Sequence, residues 1–153
     1  MYPVTIRNEP DRRLATQHHV GPYYKVGKVF ESLVAICTSR NLWPQIGGFI
    51  GIYCDNPDVV PEEELNSHAG IIWLDDDIPE GLTEYKLPGG KTAVMTYKGP
   101  YAGLADAYKS LFGDWLPNSG EEPADLPCYE LSLNSPRDTA PEDLLTEIGL
   151  PLK

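Results

Sequence analysis

The chain has 153 residues, 41% of them apolar and 23% charged, a composition that supports one soluble core without metals or disulfides. No apolar run approaches the ~20 residues of a membrane span, and a net charge of −11 with scattered Lys and Arg argues against binding a nucleic-acid backbone. Met1–Glu9 holds a single basic residue, Arg7, and no continuous apolar stretch, so it matches neither a signal nor a transit peptide and a cytoplasmic location is expected. Cys37, Cys54 and Cys128 are odd in number and far apart, as reduced thiols are.

In chain order, Val4–Asn8 and Arg12–His19 carry alternating and β-branched residues around Glu-Pro-Asp and predict a short hairpin. After Gly21-Pro22 the period changes. Tyr23, Val26, Phe30, Leu33 and Cys37, three or four apart, predict an amphipathic helix that Trp43-Pro44 ends. Strands are expected at Gly48–Asp55 and Leu65–Leu74, joined through Asn56-Pro57. The same order then repeats. Leu82–Leu87 and Lys91–Lys98 predict a hairpin around Pro-Gly-Gly, and Tyr101, Leu104, Tyr108, Leu111 and Trp115 predict a helix. Strands at Leu126–Asn134 and Leu144–Leu152 close the chain, with a short helical turn expected between them and Ser119–Pro123 read as a loop inserted in this copy alone.

The repetition is in register. At a spacing of 78, Thr5 falls on Thr83, Pro10 on Pro88, Ala15 on Ala93, Gly21-Pro22-Tyr23 on Gly99-Pro100-Tyr101 and Ser32-Leu33 on Ser110-Leu111. Residues 1–153 therefore read as a single domain of two repeats, about 1–78 and 79–153. The expected class is α+β: a duplicated strand-helix-strand-strand module, with two helices on a mostly antiparallel sheet and pseudo-two-fold symmetry.

Several residue groups resemble the GyrI-like (DNA gyrase inhibitor-like) small-molecule-binding family, which also supplies effector domains of AraC- and MerR-type transcription regulators. They are Arg13-Leu-Ala through His19-Val-Gly-Pro-Tyr23, Ile50-Gly-Ile-Tyr-Cys-Asp-Asn-Pro57, Leu87-Pro-Gly-Gly90, Gly99-Pro-Tyr101, Trp115-Leu-Pro117, Asn134 through Asp138, and Thr146-Glu-Ile148 with Pro151-Leu152. The resemblance implies a ligand cleft between the halves, a stand-alone chain, and a last-strand glutamate, Glu147, facing an amphipathic, aromatic or cationic ligand. From pattern alone Glu147 sits either on a solvated sheet face or at the floor of an apolar pocket. Its repeat partner at a spacing of 79 is His68, where the family more often has an acid. Tyr97 is the repeat partner of His19.

Trp115, Trp73, Tyr53, Tyr97 and Tyr101 are candidate aromatic walls, with core packing as the alternative; His19 and His68 complete the candidate ligand-binding set. The resemblance further implies an enzyme reading, a cofactor-independent hydrolase of electrophilic, cyclopropane-containing natural products, with Glu147 and Tyr97 or Tyr101 as catalytic groups. It also implies a protein-interaction reading, with gyrase or a transcription regulator as partner. No Gly-x-Ser-x-Gly elbow, phosphate loop or metal-ligand spacing is present, so neither cofactor nor metal is expected.

Overall fold

A computed structural model describes residues 2–135 and 137–153; Met1 and Pro136, both within segments read above, lie outside the described residues. Eight strands form: β1 (Val4–Glu9), β2 (Arg12–Val20), β3 (Ile46–Tyr53), β4 (Asn66–Trp73), β5 (Thr83–Leu87), β6 (Gly90–Lys98), β7 (Cys128–Ser132) and β8 (Leu145–Pro151). Two helices follow the two Gly-Pro-Tyr sequences, α1 (Val26–Ser39) and α2 (Leu104–Ser110), each entered through a single 3-10 turn. The α+β class read from the sequence is the one observed. No helix is long and apolar enough to cross a membrane among the described residues.

The chain forms two compact units that do not follow the sequence repeat. Residues 1–10 and 89–153 make unit one; residues 11–88 make unit two. Neither expected hairpin exists. β1 pairs antiparallel with β6 and β2 with β5, so each repeat gives its first strand to the other unit. The linkers explain this. A two-residue hairpin turn needs positive φ at its first central position, and both linkers, Pro10-Asp11 and Pro88-Gly89, place a proline there, whose ring fixes φ near −65°.

In unit one the strand order is β1-β6-β8-β7, and in unit two β3-β4-β2-β5, all pairs antiparallel. Each sheet carries its helix on one face. Ala93, Met95 and Tyr97 of β6, Ile148 and Leu150 of β8, and Ala107 and Leu111 of the second helical segment make one core. Ala15 of β2, Ala69, Ile71 and Trp73 of β4, and Leu33 and Cys37 of α1 make the other. Alternate residues face the same side of a strand, so these clusters fix which side of every strand faces a helix.

The two copies diverge after their helices. α1 runs fourteen residues, whereas α2 stops after seven and passes through a π turn, Leu111–Trp115, into a short helix, Leu116–Ser119. Equivalent hydrogen bonds measure the consequence. Gly21 N–H to Leu65 O corresponds to Gly99 N–H to Leu144 O, and Cys54 N–H to Asn66 O corresponds to Leu133 N–H to Leu145 O. The repeat spacing thus grows from 78 before the helices to 79 after them. The second copy is longer by one residue, as a π turn makes a helix, and Ser119–Pro123 is no five-residue insertion. Both strand connections hold a 3-10 turn, Glu62–Glu64 and Pro141–Asp143, where one was expected only in the second.

Candidate functional site

Glu147 lies in β8 opposite Thr96 of β6 and Leu131 of β7, one residue from the helix-facing Ile148. It therefore points to the face away from the helix. Its side chain is 13% exposed, and Arg7 Nη1 of β1 donates to its Oε2 at 2.9 Å while standing 3.6 Å from Glu9 Oε1. The two carboxylates hold the Arg7 guanidinium above its ordinary pKa, Glu147 first and Glu9 after it. Glu147 is one side of a three-residue charge cluster.

His68, its repeat partner, also points away from the helix. Its ring stacks on His18 at 4.7 Å and meets Tyr85 at 5.0 Å. Burial, and then the neighbouring His18, push the His68 pKa down. Tyr97 and His19, the other mismatched pair, share one task. Tyr97 is buried beneath the Gly99-Pro100 corner and its hydroxyl donates to Pro100 O at 2.7 Å; His19 Nε2 stands 3.2 Å from Pro22 O and donates to it as the Nε2–H tautomer. Each ties down the carbonyl that opens a helix.

Trp73 is buried in the core of unit two, its Nε1–H donating to Asp77 O at 2.9 Å. Tyr53 meets Tyr23 edge-on at 4.9 Å and folds back over Gly51, where a Cβ would lie 2.8 Å from its hydroxyl. Tyr101 is exposed on the 3-10 turn before α2. Trp115 is half-buried against the core of unit one. The structure thus spreads the predicted residues over two units and both sheet faces, without bringing them into one constellation within either unit. Among the described residues no group of three or more His, Cys, Asp or Glu is placed to hold a metal ion.

A different acid sits under a helix. Glu130 of β7 lies opposite Ile148, so it shares the helix-facing side with Cys128, two residues earlier. The hydroxyl of Tyr108, in α2, donates to Glu130 Oε2 at 2.5 Å. The Tyr108 ring lies parallel to that of Phe112, 6.4 Å away, and Phe112 is 41% exposed. Cys128 feels both the burial and the acid: its thiol is pushed up to about 11, by desolvation first and by the Glu130 charge second. A half-buried carboxylate therefore accepts from a phenol, beside a row of aromatics at 108, 112 and 115 along one helical face.

Helix periodicity assigns Tyr108 to the core and hides this role. The available signal is in the repeat, since a spacing of 79 sets Glu130 against Gly51. In unit two the Tyr53 ring covers that glycine. In unit one the same strand position carries an acid.

Fold and site together define a duplicated α+β module with an acid and aromatics on the helix-facing side of one sheet. The family described as GyrI-like small molecule binding domain matches residues 2–153, and the chain belongs to that family. A protein of Erwinia billingiae named DNA gyrase inhibitor is 29% identical over 154 residues, covering 97% of this chain and 96% of its own. The C-terminal domain of EcmrR superposes with a TM-score of 0.78 at 16% identity, covering 100% of this chain and 98% of that one. SAV2435, solved bound to tetraphenylphosphonium, has a TM-score of 0.74 at 14% identity, with 99% and 94% covered.

Proposed function

We propose that this chain binds small amphipathic molecules carrying a cationic or hydrogen-bond-donating group, on the helix-facing side of unit one. Glu130 is the charge partner and Tyr108, Phe112 and Trp115 supply flat apolar contacts. The carrying observation is the Tyr108 hydroxyl on the half-buried Glu130 carboxylate. A carboxylate beside aromatic rings offers a cation a charge-assisted contact, and the aromatic faces add roughly 0.5–2 kcal/mol each for a cation above them. That SAV2435 holds tetraphenylphosphonium on a similar fold supports the ligand class. Glu147 is assigned to the Arg7 cluster instead.

Titrating the protein with tetraphenylphosphonium, followed by calorimetry, tests the assignment. Glu130→Gln weakens binding by about tenfold or more, the equivalent of one lost charge interaction. Glu147→Gln leaves the affinity within about twofold. Unchanged affinity in Glu130→Gln, or a loss confined to Glu147→Gln, overturns this reading.

The name of the Erwinia billingiae relative favours a second reading, inhibition of DNA gyrase by an acidic protein surface. A supercoiling assay is direct. Slower supercoiling as this protein is added in excess supports it, and an unchanged rate counts against it.

A further inference from the structure

In unit two, β5 pairs with β2 only over Arg12–Thr16, although β2 runs on to Val20. Beyond Thr83 the chain turns away, with Leu82 N–H donating to Pro79 O. In an antiparallel ladder alternate residues bond to opposite neighbours. Gly21 N–H donates to Leu65 O on the β4 side at 2.8 Å, so the odd residues of β2 serve β4, whereas His18 and Val20 direct their N–H and C=O to the side that β5 has left. A groove of about 480 Å³ opens at this edge, lined by Gln17 and His18 of β2, Lys28 and Ser32 of α1, and Gly81 and Thr83.

The repeat shows what such an edge accepts. In unit one the corresponding stretch of β6 is covered: Thr96 N–H donates to Pro3 O at 3.1 Å, and the Tyr2 ring packs on Tyr97 at 5.6 Å. Thr96 and Tyr97 correspond to His18 and His19, and Pro3 and Tyr2 to Gly81 and Glu80. Unit one thus fills the position with an extended segment bearing an aromatic side chain, and unit two does not. A strand added antiparallel to β2 runs toward Thr83, where the turn at Gly81-Leu82 stops it. Its last residue therefore ends in the groove that Lys28 lines, and Lys28 enters no ion pair among the described residues.

We propose that the β2 edge at His18–Val20 docks the free C-terminus of another protein. About three residues add as an antiparallel strand, with an aromatic residue against His19 and the terminal carboxylate toward Lys28. Main-chain bonds of this kind supply affinity while the flanking pockets supply selectivity. A lysine facing a carboxylate adds a charge-assisted hydrogen bond. This site is independent of Glu130, which belongs to the other unit.

The test uses the full chain and the peptide acetyl-Ala-Val-Tyr-Thr with a free C-terminus, followed by amide NMR shifts. Saturable shifts at residues 17–20 and at Lys28 are expected. C-terminal amidation weakens binding about tenfold, as does Lys28→Gln, and Lys28→Gln adds no further loss to the amidated peptide. Val20→Pro, which removes an edge N–H and is tolerated on an open edge, abolishes binding while the far-ultraviolet dichroism stays that of the parent. Absence of these shifts at millimolar peptide, equal binding of acid and amide, or concentration-dependent shifts of the same amides without peptide, which would mean that a second copy covers the edge, each overturns the proposal.

Discussion

Replacing Arg7 by Met separates the scaffold from the site. The change leaves Glu147 and Glu9, 13% and 11% exposed, on one sheet face without the guanidinium they share. At 2.9 Å the pair attracts by about 1.4 kcal/mol in water and about 6 kcal/mol at an effective dielectric near 20, before desolvation is subtracted. Arg7 itself is 42% exposed, so solvent screens much of this and the value belongs near the low end. We expect Arg7→Met to cost about 2 kcal/mol at pH 7, a fall in Tm of roughly 4–8 °C for a chain of this size. The sign with salt follows from the exposure of Arg7: added ions reach the guanidinium side of the pair and screen its attraction in the parent, whereas the variant has no such attraction to lose. The cost should therefore shrink to under about 1 kcal/mol at 1 M sodium chloride. Urea unfolding at low and high salt reads this directly, with tetraphenylphosphonium affinity measured in parallel. A cost that is the same at both salt concentrations refutes the charge argument, and a tenfold loss of ligand affinity refutes the separation of Glu147 from the binding site.

Three further changes bear on the scaffold. Gly149→Ala drives a Cβ into the Tyr129 ring, so it should cost about 3 kcal/mol or more by urea unfolding, and Tyr129→Ala in the same chain should recover part of that loss. Tyr97→Phe removes the donor to Pro100 O beneath the helix corner and should cost about 1–2 kcal/mol, with ligand affinity kept. His68 has its folded pKa lowered, so the unfolded chain binds more protons as pH falls below its ordinary value near 6.5. His68 thus favours folding fully above that value and loses this contribution progressively through the window beneath it. His68→Phe should flatten the stability profile between about pH 5 and 7, and an unchanged profile would show that His68 is not the titrating group.

Much of this fold was legible because it was written twice. Thirty positions in register announce one module used again, and the Gly-Pro-Tyr sequences mark both helix starts. The strand exchange was not legible from period or propensity, because alternation in β1 and β2 says that each is a strand and nothing about its partner. The prolines at 10 and 88 held that information, as residues that forbid the turn rather than make it. Glu147 drew notice as an acid in an apolar strand. Its environment depends on Arg7, 140 residues away and two strands across, which no local pattern shows. Glu130 went unread for the opposite reason. Its own strand is short and mixed, and its partner Tyr108 fits a helical core stripe as well as a functional one.

The duplication also sorts residues by purpose. Where the copies differ in letter yet agree in contact, the position serves the scaffold. Tyr97 and His19 both reach a proline carbonyl, and Asp55 and Asn134 both accept a backbone N–H, from Asn66 and Leu145. Substitution there is free within the chemistry of one hydrogen bond. Glu130 against Gly51 is another kind of difference. One copy fills the space above the strand with the Tyr53 ring; the other places a carboxylate there and brings a phenol from α2 to hold it. A half-buried acid loses hydration that its hydrogen bonds must replace, and a glycine under a ring meets the same packing need without that cost. The helix above Glu130 also carries the π turn, the one residue by which the second copy exceeds the first. Both departures from symmetry fall on the same side of the same sheet, and a scaffold alone requires neither.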